Sequence, residues 1–275
     1  MKRIESRDNA LVKRVRALSA SARERRKLGE TLLDGPHLLA EALRRQWPLK
    51  TVLFSDSGLR NAEIAALATQ IEASAPATPT PCVNLADPVF AQLSPVDTPS
   101  GVLAIIELPV PSLPEQLQGS VVVLDGVQDS GNLGSILRTA AAAGIADILL
   151  GEGCAQAWSP RALRAGMGAH FVLRIHEQLD LLAALEGFHG DVLATALGSG
   201  ARELYALDLN RPVAWLFGGE GQGLSPALLA RADERVLIPM AAGVESLNVG
   251  AAAAVCLFEQ LRQRGASSER HADAS

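Results

Sequence analysis

Cysteine is scarce in this chain: Cys82, Cys154 and Cys256 are the only three in 275 residues, far apart and odd in number. That argues against a disulfide framework or a zinc cluster. The five histidines fall at no metal-ligand spacing, so no metal is expected. Aromatic residues make up 4%, too few for a run of base-stacking platforms. No apolar run reaches the roughly 18 residues of a membrane helix. The N-terminus is charged from its second residue and lacks an apolar signal core. A soluble cytoplasmic protein with no membrane partner is the expectation. Two nucleotide signatures are missing as well, G-x-G-x-x-G and G-x-x-x-x-G-K-[ST]. Their absence sets aside the usual nucleotide-binding oxidoreductase and the phosphate-loop enzymes.

What is present starts with 48% hydrophobic residues, enough for a sizeable core. The net charge of −5 by itself argues against a nucleic-acid partner, but its distribution reverses that reading. Residues 1–50 carry thirteen Lys/Arg against six Asp/Glu, a net of +7, which leaves −12 for the remainder. A basic end on an otherwise acidic chain suits a polyanion. Attraction of that kind is salt-dependent and largely blind to sequence.

Residues 8–27 read as one basic helix, with Leu11, Val15 and Leu18 at helical spacing. A second helix follows over Pro36–Arg45, then a strand over Thr51–Ser55, a helix over Asn61–Glu72, and strands at Val83–Leu85 and Val102–Ile106. Residues 1–107 therefore form a small α/β unit, and the proline-rich stretch 108–118 is the best linker. Strand and helix then alternate. Strands are predicted at Val121–Leu124, Asp147–Leu150, Phe171–Ile175, Val192–Ala196, Val213–Phe217 and Val236–Ile238. Helices are predicted at Asn132–Ala143, Pro160–Met167, Leu179–Leu185, Pro226–Ala232 and Leu247–Arg264. That alternation implies a mostly parallel sheet over residues 119–265, with a polar, frayed tail at 266–275.

Ligands of parallel sheets bind beyond the carboxyl ends of the strands. Three such ends are unusual here. After the first, Asn132 is placed to cap a helix whose apolar, alanine-rich body contains Arg138. After the second, Gly218, Gly219, Gly221 and Gly223 would let backbone approach a ligand closely, although a plain turn would also use them. The third runs from Ile238-Pro239-Met240 to Ser246-Leu247-Asn248-Val249 at the entrance of the last helix. Capping alone would account for Ser246 and Asn248.

Together the three segments resemble the three motifs of the SpoU (TrmH-like) family of SPOUT RNA methyltransferases. The first resembles N-x-G-x-x-x-R (Asn132, Gly134, Arg138), and the second G-x-E-G-x-G-L (Gly218, Glu220, Gly221, Gly223, Leu224). The third resembles I-P-M…S-L-N-V (Ile238 to Met240, Ser246 to Val249). They occur in the family's order across residues 119–264. A looser similarity, at Ile4–Asn9 and Leu32–Gly35, extends to the substrate-binding domain that often precedes this catalytic domain. Ser130 departs from a common proline, and Gly250 stands where a small hydroxyl residue is frequent.

The resemblance implies a parallel α/β domain with a trefoil knot, preceded by a small α/β RNA-binding domain, working as a homodimer. It implies methyl transfer from S-adenosylmethionine to a ribose 2′-hydroxyl of RNA, with ribosomal RNA favoured. Transfer RNA, or a non-catalytic RNA-binding protein of the same fold, is the alternative. Arg138, Asn132, Glu220, Ser246 and Asn248 would carry catalysis. Arg138 would act as an electrostatic activator, because arginine stays protonated. Thr195, Ala196, Leu197, Gly218, Gly219, Ile238, Met240, Ser246 and Leu247 would hold the cofactor.

Overall fold

The computed structural model describes residues 1–73, 80–94, 98–196 and 200–272, with 266–272 described by backbone alone. The chain divides into two compact units, Met1–Pro109 with Trp158–Phe171, and Val110–Ala157 with Val172–Ser275.

The first unit opens with β1 (Lys2–Ile4), α1 (Ala10–Ala20) and α2 (Ala22–Leu28). The single basic helix expected over residues 8–27 is thus two. Ser21 breaks it: its backbone is extended (φ −128°, ψ 118°) and its hydroxyl accepts the Glu24 N–H. One serine ends α1 and caps α2. Arg25, buried, donates to the Leu18 carbonyl at 2.7 Å and satisfies the end of α1. The unit continues through β2 (Glu30–Asp34), α3 (Pro36–Arg44), β3 (Leu49–Ser55), α4 (Ala62–Ala73), β4 (Cys82–Leu85), α5 (Asp87–Phe90) and β5 (Val102–Glu107). The strands form a mixed sheet in the order β1-β4-β3-β5-β2.

Strand β2 escaped the sequence reading because Glu30, Thr31 and Asp34 make it look polar, yet all five of its residues are buried. Each polar group has a partner, as burial demands. Glu30 takes Arg14 and Lys50. Burial pushes the Glu30 carboxyl up, but those two cations outweigh it and hold it below the usual range. Asp34 accepts from Ser100 at 2.6 Å, and there burial prevails and raises the carboxyl.

The second unit runs β6 (Val121–Asp125), α6 (Ser130–Ala142) and β7 (Asp147–Gly151). The chain then departs for the first unit with α7 (Pro160–Gly166). The boundaries expected from sequence place α7 in the second domain. Instead, the Thr31 hydroxyl donates to the Trp158 carbonyl at 2.6 Å, and the Trp158 ring lies 6.0 Å from that of Trp47. The chain resumes with β8 (Arg174–Leu179), α8 (Leu181–Leu185), β9 (Asp191–Thr195), β10 (Arg202–Glu203), β11 (Val213–Gly218), α9 (Pro226–Arg231), β12 (Glu234–Leu237) and α10 (Val249–Ala272). The strand expected at Phe171–Ile175 is displaced. A 3-10 turn occupies Ala169–Phe171, and β8 begins at Arg174, whose guanidinium binds Asp147 at 2.7 and 2.6 Å. Leu113 and Leu117, in the expected linker, pack into the second core. Helix α10 continues to Ala272 through part of the expected tail, since no proline follows Gly265.

The second sheet has the order β10-β12-β9-β11-β6-β7-β8, with every neighbouring pair parallel. From β6 the chain moves outward to β7 and β8, and from β9 onward it builds on the other side of β6. The carboxyl ends of β6 and β11 therefore flank the place where the strand order reverses, the favoured ligand position of such sheets.

Candidate active site

The reversal point is built first from β6 and α6. Asp129, not Asn132, caps α6: its Oδ1 accepts the Asn132 backbone N–H at 2.8 Å. The expectation that Asn132 is the cap is corrected, and the correction matters. Asn132 lies in the first turn with its amide free for other work. Arg138 follows on the same helix, exposed, with no ion-pair partner among the described residues.

The glycine loop follows β11. A Cβ on Gly218 would lie 2.1 Å from the Gly223 carbonyl carbon, and one on Gly219 would lie 2.2 Å from the Gly126 oxygen. Only glycine fits either position. The loop does turn on itself, with Gly223 N–H donating to Gly219 O at 2.8 Å, so the turn reading and the ligand reading hold together. Asp125, at the end of β6, moors it at both ends: its carbonyl accepts from Gly219 N–H and its Oδ2 from Ser225 N–H, each at 2.8 Å. The sequence reading missed Asp125. An acid at the last position of an otherwise all-aliphatic buried strand was the available signal.

Three of the five expected catalytic residues meet in one hydrogen-bond relay. Asn248 Oδ1 accepts the N–H groups of Gly250 and Ala251 at 2.9 and 3.3 Å, which caps α10. Its Nδ2 donates to Asn132 Oδ1 at 3.0 Å. Asn132 Nδ2 then donates to Glu220 Oε1. The relay joins the start of α10, the start of α6 and the glycine loop. Ser246 does not enter it, and neither does Arg138.

Beside the relay lies a cavity of about 600 Å³, within the usual range of small-molecule sites. Thr195 and Ala196 form one wall, Gly218 and Gly219 another. Ile238, Met240, Ser246 and Leu247 close it, with Glu220 and Asn248 at its border. Of the expected cofactor residues, Leu197 lies outside the described residues. The sequence reading missed Gln222, Leu229, Val236 and Ala252, which also line the space. Their signal was positional only, since they flank motif residues on a loop or a helix face. Aliphatic walls, two hydroxyls, closely approaching backbone and Glu220 as the sole charged side chain among the described lining residues suit a cationic nucleoside ligand. Among the described residues no group of three or more His, Cys, Asp or Glu could hold a metal ion. The nearby Cys154 donates to the Leu124 carbonyl at 3.2 Å, and burial pushes its thiol up, so it offers no thiolate.

Residues 119–258 match the SpoU rRNA Methylase family, and residues 9–104 match the MRM3-like substrate binding domain. The chain belongs to the SpoU rRNA methylase family. Over 94% of its length it is 33% identical to the 23S rRNA (guanosine(2553)-2'-O)-methyltransferase RlmP of Bacillus subtilis (strain 168), covering 98% of that protein. Among solved structures, the AdoMet-bound rRNA methyltransferase from Sinorhizobium meliloti matches with a TM-score of 0.81 at 30% identity, over 95% of this chain and 97% of that one. The SpoU methyltransferase AviRb from Streptomyces viridochromogenes, also in complex with AdoMet, matches with a TM-score of 0.78 at 26% identity, over 94% and 100% of the two chains.

Proposed function

We propose that this SpoU-family chain transfers a methyl group from S-adenosylmethionine to a ribose 2′-hydroxyl of ribosomal RNA. The observation that carries the reading is the juxtaposition of the cavity with the relay Glu220–Asn132–Asn248, on one side of the helix that bears an unpaired Arg138. When bound, S-adenosylmethionine supplies an electrophilic methyl group on a cationic sulfur. Backbone at Gly218 and Gly219 and the aliphatic side chains of Ile238, Met240 and Leu247 would hold it, with Thr195, Ala196 and Ser246 completing the walls. Glu220 complements its positive charge.

A 2′-hydroxyl is a weak nucleophile and needs positioning and charge stabilisation. Arg138 would engage the neighbouring phosphate and stabilise oxyanion character as it develops; its guanidinium keeps its own protons, and the hydroxyl proton passes to solvent water as the methyl group leaves the sulfur. Asn132 and Asn248 hold the start of α6 against the start of α10, and so set where Arg138 stands relative to the cavity. Ribosomal rather than transfer RNA is supported by the activity named for the Bacillus subtilis relative and by the match of residues 9–104 to a substrate binding domain.

The same proposal includes a homodimer, a trefoil knot and a cytoplasmic location. Phe258 and Leu261, 47% and 40% exposed on α10, with Val244 and Leu247 beside the cavity, form apolar surface that a second copy would cover. Insertion of β12 between β9 and β10, followed by the return of α10 onto α6, supports the knot. No helix among the described residues is long and apolar enough to cross a membrane.

Transfer of tritium from labelled S-adenosylmethionine to unmodified total RNA tests the function. Label in alkali-resistant dinucleotides of ribosomal RNA is the expected result. Label in transfer RNA would move the substrate class. Absence of both transfer and cofactor binding would remove the methyltransferase reading and favour a non-catalytic RNA binder. In the same assay Arg138→Ala is expected to lose about 10²–10³-fold in rate while cofactor affinity measured by calorimetry is unchanged.

A further inference from the structure

Helix α6 carries one more polar side chain on the side that holds Asn132 and Arg138. Ser135 lies three residues after the first and three before the second, and each step of three turns the helix face by only about 60°. Ser135 is exposed, and no hydrogen bond of its hydroxyl occurs among the described residues. A hydroxyl residue inside a helix commonly returns its proton to the carbonyl four residues back. Thr139, one turn later, does so, donating to the Ser135 carbonyl at 2.9 Å. Serine is also a poorer helix former than alanine, which fills the later part of the same helix at Ala140, Ala141 and Ala142. Helix propensity and internal hydrogen bonding therefore both leave Ser135 unexplained.

The space in front of it is kept clear. Gly250, in the first turn of α10, faces this point: a Cβ there would stand 3.1 Å from Asn248 Oδ1 and 3.6 Å from Ser135 Oγ. Any larger residue at 250 would fill the gap between the serine hydroxyl and the relay. The unspent hydroxyl, the missing side chain opposite and the flanking Asn132 and Arg138 together define a small donor site open to solvent.

We propose that Ser135 is a further substrate-positioning residue, whose hydroxyl donates a hydrogen bond to a phosphate oxygen of the RNA strand engaged by Arg138. Gly250 is the residue that keeps this approach open. The inference rests on the methyltransferase reading above and deepens it, since it names a second contact to the acceptor strand on α6.

Steady-state methylation with Ser135→Ala, Ser135→Thr, Gly250→Ala and the Ser135→Ala/Gly250→Ala pair tests it. Ser135→Ala is expected to lower kcat/KM for RNA by about tenfold, chiefly through KM, as for loss of one hydrogen bond to a charged group. Affinity for S-adenosylmethionine and the thermal midpoint should not fall, because alanine favours the helix. Ser135→Thr keeps the hydroxyl and should recover most of the loss. Gly250→Ala should raise KM, with any change in kcat coming from its contact with Asn248 Oδ1, and its effect on KM should be small in the Ser135→Ala background. An unchanged KM in Ser135→Ala would overturn the role of the hydroxyl, and fully additive effects would overturn that of Gly250. Wild-type protein that neither binds S-adenosylmethionine nor methylates RNA would instead remove the underlying reading, and the proposal with it.

Discussion

At the scale of single residues, Asn132 is the joint of the site, because its amide is used in both senses: the oxygen accepts from Asn248 and the nitrogen donates to Glu220. Asn132→Asp removes the donor and sets two carboxylates against each other. We expect a loss of roughly 10²-fold in kcat, with at least tenfold recovery when Glu220→Gln restores a donor on the other side. Failure of the pair to recover would show that Glu220 acts by its charge rather than through the relay. The wrong assignment of Asn132 as helix cap has a physical root. Asp129 and Asn132 are both good caps, three residues apart, and only the backbone decides which of them precedes the first turn. A second residue, Asp147, governs acid stability in the second unit. Burial raises its carboxyl, but His176 3.7 Å away and the hydrogen-bonded Arg174 guanidinium outweigh that and hold it below the usual range. A depressed carboxylate contributes stability that is complete above its unfolded value of about 3.9 and is lost as pH falls through the folded one. The stability difference between wild type and Asp147→Asn, measured by urea unfolding, should therefore be largest near neutrality and shrink as pH drops below 4.

At the scale of elements, the seating of α10 depends on a buried polar cluster. Trp215 Nε1 donates to Gln260 Oε1 at 2.9 Å, and Gln260 Nε2 donates to Ser120 Oγ at 3.0 Å, which in turn accepts from Val213 N–H at 2.9 Å. Trp215 and Gln260 are almost wholly buried. Gln260→Leu would preserve volume but strand the indole N–H, and should cost about 2–3 kcal/mol in urea denaturation. It should also weaken cofactor binding, because α10 carries Val249 and Ala252 into the cavity wall. Cys256, on the same helix, is pushed up to about 12 by burial and serves as packing only. Most helices and strands of the second unit were legible from periodicity. β2 and β8 were not, since their polar residues are matched by partners distant in sequence, such as Glu30 by Lys50 and Asp147 by Arg174.

At the scale of the whole molecule, the basic N-terminal end separates into structural and free cations. Arg14 and Lys50 are spent on Glu30, Lys13 pairs with Asp8, and Arg25 is buried. Arg16, Arg23, Arg26 and Lys27 are exposed, with no ion-pair partner among the described residues. Replacing Arg16, Arg23 and Arg26 together by alanine should weaken RNA binding and flatten its dependence on the logarithm of salt concentration, by roughly 0.7–0.9 per phosphate contact removed. Filter binding at several salt concentrations reads that slope. An unaltered slope would place the RNA elsewhere on the protein.

The amino-acid sequence by itself determined the α/β alternation, the three motifs and the charge asymmetry. Each of these is written in local spacing: a strand or helix period, a run of glycines, a cluster of arginines. Only the tertiary structure decided that Asn132, Glu220 and Asn248 form one relay across separations of 88 and 116 residues, that α7 belongs with the first unit, and which arginines remain free. The physical reason is the same in each case. A hydrogen bond or ion pair is satisfied by whichever group the fold brings within about 3 Å, and proximity along the chain carries no information about that choice.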